Sequence, residues 1–305
     1  MKLQQLRYFV AVYEEGSFSA AAGRVNATQS GLSTHVSQIE KRFNVSLFTR
    51  SSSGVTPTES GRLFYDEAVQ VIAAANRAED RLRSLSTAVV GNVHVGLMPT
   101  FTRSVLTNVL LRFSEEFRDV RVSVSEAYSG ELAESVSAGK LDFAVVPNFD
   151  RDRYLAGTNM GRDQECFVCS ADRDLPNTKA LRLKSLPPQR LVVPGWSNIR
   201  RKQIEDYLVQ NDIEVREILE IDTMYATLDL VARSEWVAIL PGILCVSDLD
   251  GSRRRVVPLG DPPLYVDYLR IEPRSKPLSR AAQEFANILQ EELNSTLEIV
   301  PASQG

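Results

Sequence analysis

SFSAAAGRVNATQSGLSTHVSQIEKRFNVSLFTRSSSGVTPTESG, residues 17–61, holds two short helical patterns, a break between them, and a run of strand and turn residues. Behind the candidate N-cap Ser17, Phe18, Ala21, Ala22 and Val25 recur at helical spacing, and Asn26 closes this first helix. Thr28 can cap a second helix, in which Leu32, Val36 and Ile39 lie four and three apart and share an apolar face. The opposite face carries Ser30, Thr34, Ser37 and Lys41, with Ser33 on its flank and Gln29 at its start. Short hydroxyl and amide groups on an uncrowded helix face suit the major groove of DNA. They reach base edges while the N-terminal N–H groups meet phosphate. An ordinary helix pair with a solvated polar face has the same spacing, and pattern alone leaves both readings open.

The wording of the stretch is more specific than its periodicity. The run FSAAAGRVNATQSGLSTHVSQIEKRFNVSLFTR, followed by GVTPTESG, resembles the DNA-binding domain of the LysR-type transcriptional regulators. The likeness lies in the small-residue first helix, Gln29, Leu32-Ser33, Ile39-Glu40, Leu47-Phe48 with Arg50, and Thr58 before Gly61. It implies a winged helix-turn-helix, with Gln29, Ser30, Ser33, Thr34, Ser37, Arg50 and Ser53 facing DNA. Three positions depart from the family: Ser30 stands where members often carry Pro, Thr34 where they carry Arg, and Asn44 where they carry Gly. Asn tolerates the left-handed conformation of a helix C-terminus. Thr34 matters more, because it cannot grip guanine with two guanidinium hydrogen bonds.

The 305 residues, 43% hydrophobic, suffice for two or three domains with cores of their own. Net charge is −4, which argues against a general coat for nucleic acid. Residues 1–58 nevertheless hold six basic against three acidic side chains, a local +3, so the remainder carries −7. The leading MKLQQLRYFVAVYEEG is an amphipathic helix rather than a signal peptide, and no apolar run reaches membrane-spanning length, so a cytoplasmic protein is expected. Cys166, Cys169 and Cys245 are too few for a disulfide scaffold. Cys166 and Cys169 fall on opposite faces of an expected strand and His35 and His94 lie elsewhere, so neither a metal site nor a cofactor is expected.

From residue 58 to 87 the chain has no proline and one glycine, Gly61, and a single long helix is predicted. Phe64, Ala68, Val71, Ala75, Ala78, Leu82 and Leu85 alternate spacings of four and three, an a/d seam over three heptads. Charges off the seam at Asp66, Glu67, Arg77, Glu79, Asp80, Arg81 and Arg83 favour pairing with a second copy over packing within one chain. The family resemblance implies a homodimer of this kind, with further pairing to a homotetramer.

Beyond residue 89, strands and helices alternate in two matching β-α-β-α-β series. Strands are predicted at 93–98, 120–126 and 141–146 and helices at 103–117 and 130–138; the second series has strands at 191–193, 215–221 and 236–240 and helices at 199–210 and 224–233. Crossings at 164–170 and 264–271 and a returning helix at 279–293 imply two lobes, 91–163 with 268–300 and 164–267. The expected organisation is multidomain, mixing α+β and α/β: residues 1–60 for DNA, 61–88 as linker and dimerisation helix, 89–305 as effector domain. The resemblance implies a type-2 periplasmic-binding-protein-like fold for the last.

Ligands of such sheets bind beyond the carboxyl ends of the strands. Pro99, Thr100, Phe101, Thr102, Ser129, Asn148, Trp196, Ser197 and Thr223 stand there as candidate effector-binding residues, with Phe101, Phe149 and Trp196 as an apolar wall. Hydroxyls and backbone donors would suit a small organic or inorganic anion. Each Ser or Thr is at least as well explained as a cap of its own helix. No nucleophile elbow, phosphate loop or zinc-protease motif occurs, so catalysis is not expected. An enzyme or a solute-binding protein on the same two-lobed fold is the alternative, and the DNA unit speaks against it.

Overall fold

The structure, a computed structural model, describes residues 1–51, 54–84, 89–147, 154–196, 198–274 and 276–300. Its first unit comprises α1 (Leu3–Glu15), α2 (Phe18–Arg24), α3 (Gln29–Phe43), and a hairpin of β1 (Phe48–Ser51) and β2 (Gly54–Pro57), leading into α4 (Glu59–Ser84). Leu6, Phe9, Val10 and Tyr13 of α1 meet Phe18, Ala21 and Ala22 of α2 and Leu32, Val36 and Ile39 of α3 in one core. Ser17 and Thr28 act as the expected caps, accepting from the N–H of Ala20 (3.4 Å) and of Gly31 (3.2 Å). Asn44 ends α3 in the left-handed conformation, φ 52°.

Two contacts fix the hairpin. The Glu40 carboxylate accepts from the Leu47 N–H at 2.8 Å, and the Gly16 carbonyl accepts from the Val55 N–H at 3.0 Å. Gly61 lets α4 pass close beneath: a Cβ there would come within 2.1 Å of the Leu47 carbonyl oxygen.

The seam of α4 divides. Phe64 packs on Phe9, with ring centroids 4.7 Å apart, and Ala68 is buried, so the first two seam residues serve their own unit. Tyr65, Val69 and Ile72 complete that buried face, off the expected seam, because the unit's core reaches round the helix. Val71 is 48% exposed and Ala78 is exposed, leaving the later seam open. Leu85 and the side chains of Leu82, Arg77, Glu79, Asp80, Arg81 and Arg83 lie outside the described residues. The Tyr65 hydroxyl donates to Glu14 at 2.7 Å, and Glu14 pairs with Arg24 at 2.6 Å. Burial pushes the Glu14 carboxyl up, against the pull of the Arg24 charge. The Tyr65 ring stacks on Tyr13 at 4.1 Å, and Tyr154, from far along the chain, sets its edge against both, at 6.2 and 5.9 Å.

The first lobe contains β3 (Gly91–Leu97), α5 (Pro99–Ser104), α6 (Leu106–Glu116), β4 (Val120–Glu126), α7 (Ser129–Ser137) and β5 (Phe143–Pro147). β6 (Leu155–Ser170) then runs on into the second lobe, which adds β7 (Gln189–Val193), α8 (Ile199–Gln210), β8 (Val215–Glu220), α9 (Met224–Ala232), β9 (Trp236–Pro241) and β10 (Arg254–Pro258). β11 (Tyr265–Pro273) and α10 (Arg280–Ile299) return to the first. Most bounds agree with the predicted ones within two residues. The helix predicted at 103–117 differs: it begins at Pro99, suited to a first helical turn, and breaks at Val105.

The sheets are mixed rather than wholly parallel. β4-β3-β5 and β8-β7-β9 are parallel, whereas β11 is antiparallel to β5 and β6, and β6 is antiparallel to β9 and β10. Strand order β4-β3-β5-β11-β6-β9-β7-β8 therefore carries one hydrogen-bonded ladder through both lobes. Cys166 and Cys169 fall in different core clusters on opposite faces of β6. Burial pushes the Cys169 thiol up to about 11 and raises Cys166 and Cys245 as well, which keeps all three protonated.

At the junction of the lobes, Arg200 donates to both oxygens of Glu165, from Nε at 2.9 Å and Nη2 at 2.7 Å. Two residues earlier, Asp163 accepts from the Ile243 N–H and the Tyr268 hydroxyl, each at 3.0 Å. Among the described residues no helix is long and apolar enough to cross a membrane.

Two outcomes follow for stability. Gly61→Ala should lower it by roughly 1–3 kcal/mol in chemical denaturation, since backbone must move to admit the methyl. Burial raises the Asp163 carboxyl from 3.8 to about 7. The unfolded chain therefore ionises more readily than the folded one, and stability falls as pH rises from about 4 through 7. Asp163→Asn should flatten this slope, worth on the order of a few kcal/mol, in denaturation series at successive pH values.

Candidate nucleic-acid interface and effector cleft

Once Leu32, Val36 and Ile39 are spent on the core, α3 has its polar face left for solvent or DNA. Gln29, Ser30 and Thr34 are exposed, and Ser33 and Ser37 are half-buried on the flank. Local hydrogen bonds decide what each can offer. The Gln29 side-chain oxygen accepts from the Ser19 hydroxyl at 3.2 Å, and its NH₂ has no partner among the described residues. Thr34 donates to the Ser30 carbonyl at 2.8 Å and so presents a methyl and an acceptor oxygen. Arg50 reaches from β1 to the Ser33 hydroxyl at 3.3 Å, with its guanidinium 4.8 Å over the Phe18 ring. These contacts hold a cation beside the start of α3. Ser53 lies outside the described residues. His35 turns toward α1, its ring 5.2 Å from Tyr8, and belongs to packing.

Between the lobes, at the carboxyl ends of β3, β4 and β8, lies a cavity of about 390 Å³. Of the expected effector residues, Pro99, Thr102 and Thr223 line it. Four others do not. Phe101 is fully buried with its ring edge-on to Tyr268, centroids 4.9 Å apart, and is core. Thr100 is buried beside it. Ser129 is buried at the start of α7, and its hydroxyl has no partner among the described residues. Trp196 is 71% exposed and carries Arg201 on its ring at 4.6 Å, away from the lining. Asn148, Phe149 and Ser197 lie outside the described residues.

Residues that the sequence reading passed over supply much of the wall, Glu126, Glu131, Asp222, Tyr225 and Leu228, together with Tyr128 from the strand-end loop before α7. Glu126 ends β4, and Asp222 follows β8 by two residues, so the rule that pointed to the hydroxyls would equally have found these carboxylates. The Tyr128 hydroxyl donates to the Asp222 carbonyl across the cleft and closes one lobe on the other. Burial raises the Tyr128 phenol, and the nearby Asp222 and Glu126 charges add to this. The expected anion thus meets an acidic wall. Arg103 is the one cation of the described lining, and it donates to the Leu244 carbonyl and, at 2.9 Å, to Asp248.

Two family models match the chain. Residues 3–62 match the family model for the bacterial regulatory helix-turn-helix protein, lysR family, and residues 86–294 match that for the LysR substrate binding domain. The nitrogen assimilation regulatory protein nac of Klebsiella aerogenes is 27% identical over 243 residues, 79% of this chain and 78% of that one. The hydrogen peroxide-inducible genes activator of Haemophilus influenzae is 23% identical over 301 residues, covering 98% and 99%. Full-length OxyR from Pseudomonas aeruginosa superposes with a TM-score of 0.62 at 18% identity, over 100% of this chain and 98% of that one. CbnR in complex with its target DNA gives 0.55 at 20% identity, over 96% and 99%. These relatives are regulators rather than enzymes, and LysR regulators bind DNA and oligomerise. With both of its parts matched, this chain is a LysR-type transcriptional regulator, a DNA-binding protein with an effector-binding domain.

Proposed function

We propose that two copies pair through α4, lay their α3 helices in successive major grooves, and set the bend of the DNA by the distance between the two units. A small molecule between the lobes favours one lobe orientation and shifts that distance. A differential affinity of about 1–3 kcal/mol between two orientations makes a useful switch. The division proposed is 1–60 for DNA, 61–88 for pairing and 89–305 for the effector, with lobes 91–163 plus 268–300 and 164–267. The protein acts in the cytoplasm, where its DNA lies.

The observation that carries this reading is the α3 face itself: Gln29, Ser30 and Thr34 are exposed, and neighbours hold Gln29 and Arg50 in set orientations. Val71, Ala75 and Ala78, on the open stretch of α4, support pairing.

Fluorescence anisotropy with the gene's own upstream DNA and a scrambled duplex tests the first point. Ser33→Ala should weaken specific binding by roughly 1 kcal/mol. Combined with Arg50→Ala it should give less than the sum, because the two side chains act together. Full additivity would refute a joint reader. For pairing, Val71→Asp should shift the full chain toward monomer in sedimentation, and an unchanged dimer would refute the role given to α4.

A further inference from the structure

The charge around the cleft restricts what can enter it, given the reading of that cleft as the effector site. Glu126, Glu131 and Asp222 line the cavity, and the one cation of the described lining, Arg103, is committed to Leu244 and Asp248. Asp248 in turn is shared with Arg254, so the strut between the lobes sets two guanidinium groups on one carboxylate. The helix N-termini that would draw an anion already face carboxylates: Glu131 stands in the first turn of α7, and Asp222 lies just ahead of α9. An entering carboxylate would thus meet three like charges and no uncommitted cation among the described residues.

The carboxylates keep free acceptor positions. Asp222 accepts from the Gly195 N–H at 2.8 Å through one oxygen, and Glu126 accepts from the Thr102 hydroxyl through one. The Glu131 side chain, in the first turn of α7, makes no hydrogen bond or ion pair among the described residues. Tyr128 and Tyr225 supply ring faces that attract a cation, and Met224 and Leu228 supply an apolar floor.

We propose that the effector is a small organic cation, an amine or a guanidine. Its head sits among Glu126, Glu131 and Asp222, and its body lies against Tyr128 and Tyr225. Because Tyr128 also latches the lobes through the Asp222 carbonyl, a ligand held at Asp222 acts on the contact that sets their separation.

Calorimetric titration of the full-length protein tests this, with cadaverine and agmatine as cationic probes and succinate and benzoate as anionic ones. At least one cationic probe should bind. Glu126→Gln combined with Glu131→Gln should weaken it about tenfold or more, and Thr223→Trp, which fills the cleft from an exposed position, should abolish it. DNA binding by each variant reports that it is folded. Should only an anionic probe bind, and lose binding in Thr223→Trp, the cleft stands as the effector site and the cation falls. Binding of a cationic probe that persists in Thr223→Trp would overturn the site and the proposal together. Binding by none of the four, or cation binding indifferent to the paired Gln variant, would overturn the proposed ligand class.

Discussion

A guanidinium buried against a carboxylate is the constraint around which the two lobes are arranged. Arg200 meets Glu165 with two hydrogen bonds and gives a third to the Ile239 carbonyl, and both side chains are almost wholly removed from water. Burial pushes the Glu165 carboxyl up, and only the Arg200 charge and its hydrogen bonds oppose this. Removing one partner of such a pair strands a charge, at a cost of roughly 3–5 kcal/mol. The pair sits where β6 passes from one lobe to the other, with Asp163 and Tyr268 directly before it. The start of α8 is therefore tied electrostatically to β6 at the crossing point.

From that junction the roles of the parts follow. The strand ends beyond it converge on the cleft, the Arg103–Asp248 strut spans its side, and Tyr128 closes its mouth. At the other end of the chain a small core leaves one helix face polar and one stretch of α4 uncovered. Neither end has chemistry to perform. One presents a DNA-binding unit and the other an effector-binding domain, as the LysR family models describe.

Much of this was legible in the sequence. Leu32, Val36 and Ile39 fixed the buried side of α3 and hence the exposed one, since a helix has a single period to obey. The alternation of strands and helices placed the lobes, because parallel neighbours demand crossovers. Other features were hidden by their physics. The stretch from Leu155 to Asp163 holds two glycines and an asparagine, and it pairs as a strand only because β11 lies alongside. Phe101 and Trp196 have similar apolar character in sequence, yet a core accepted one and left the other outside. The acidic wall escaped notice because helix N-termini suggest anions, and nothing local reveals that carboxylates already answer them. Which part of α4 its own unit would claim depended on how far the Phe9 core extends, a matter of three-dimensional packing.

The edge contact of Tyr154 with Tyr13 and Tyr65 has a mechanical meaning. A DNA-binding unit joined to its effector domain by one helix could swivel about that helix as on an axle. The ring of Tyr154, just ahead of β6, touches it at a second place and opposes that swivel. Turning one end of the chain against the other would have to part these three rings.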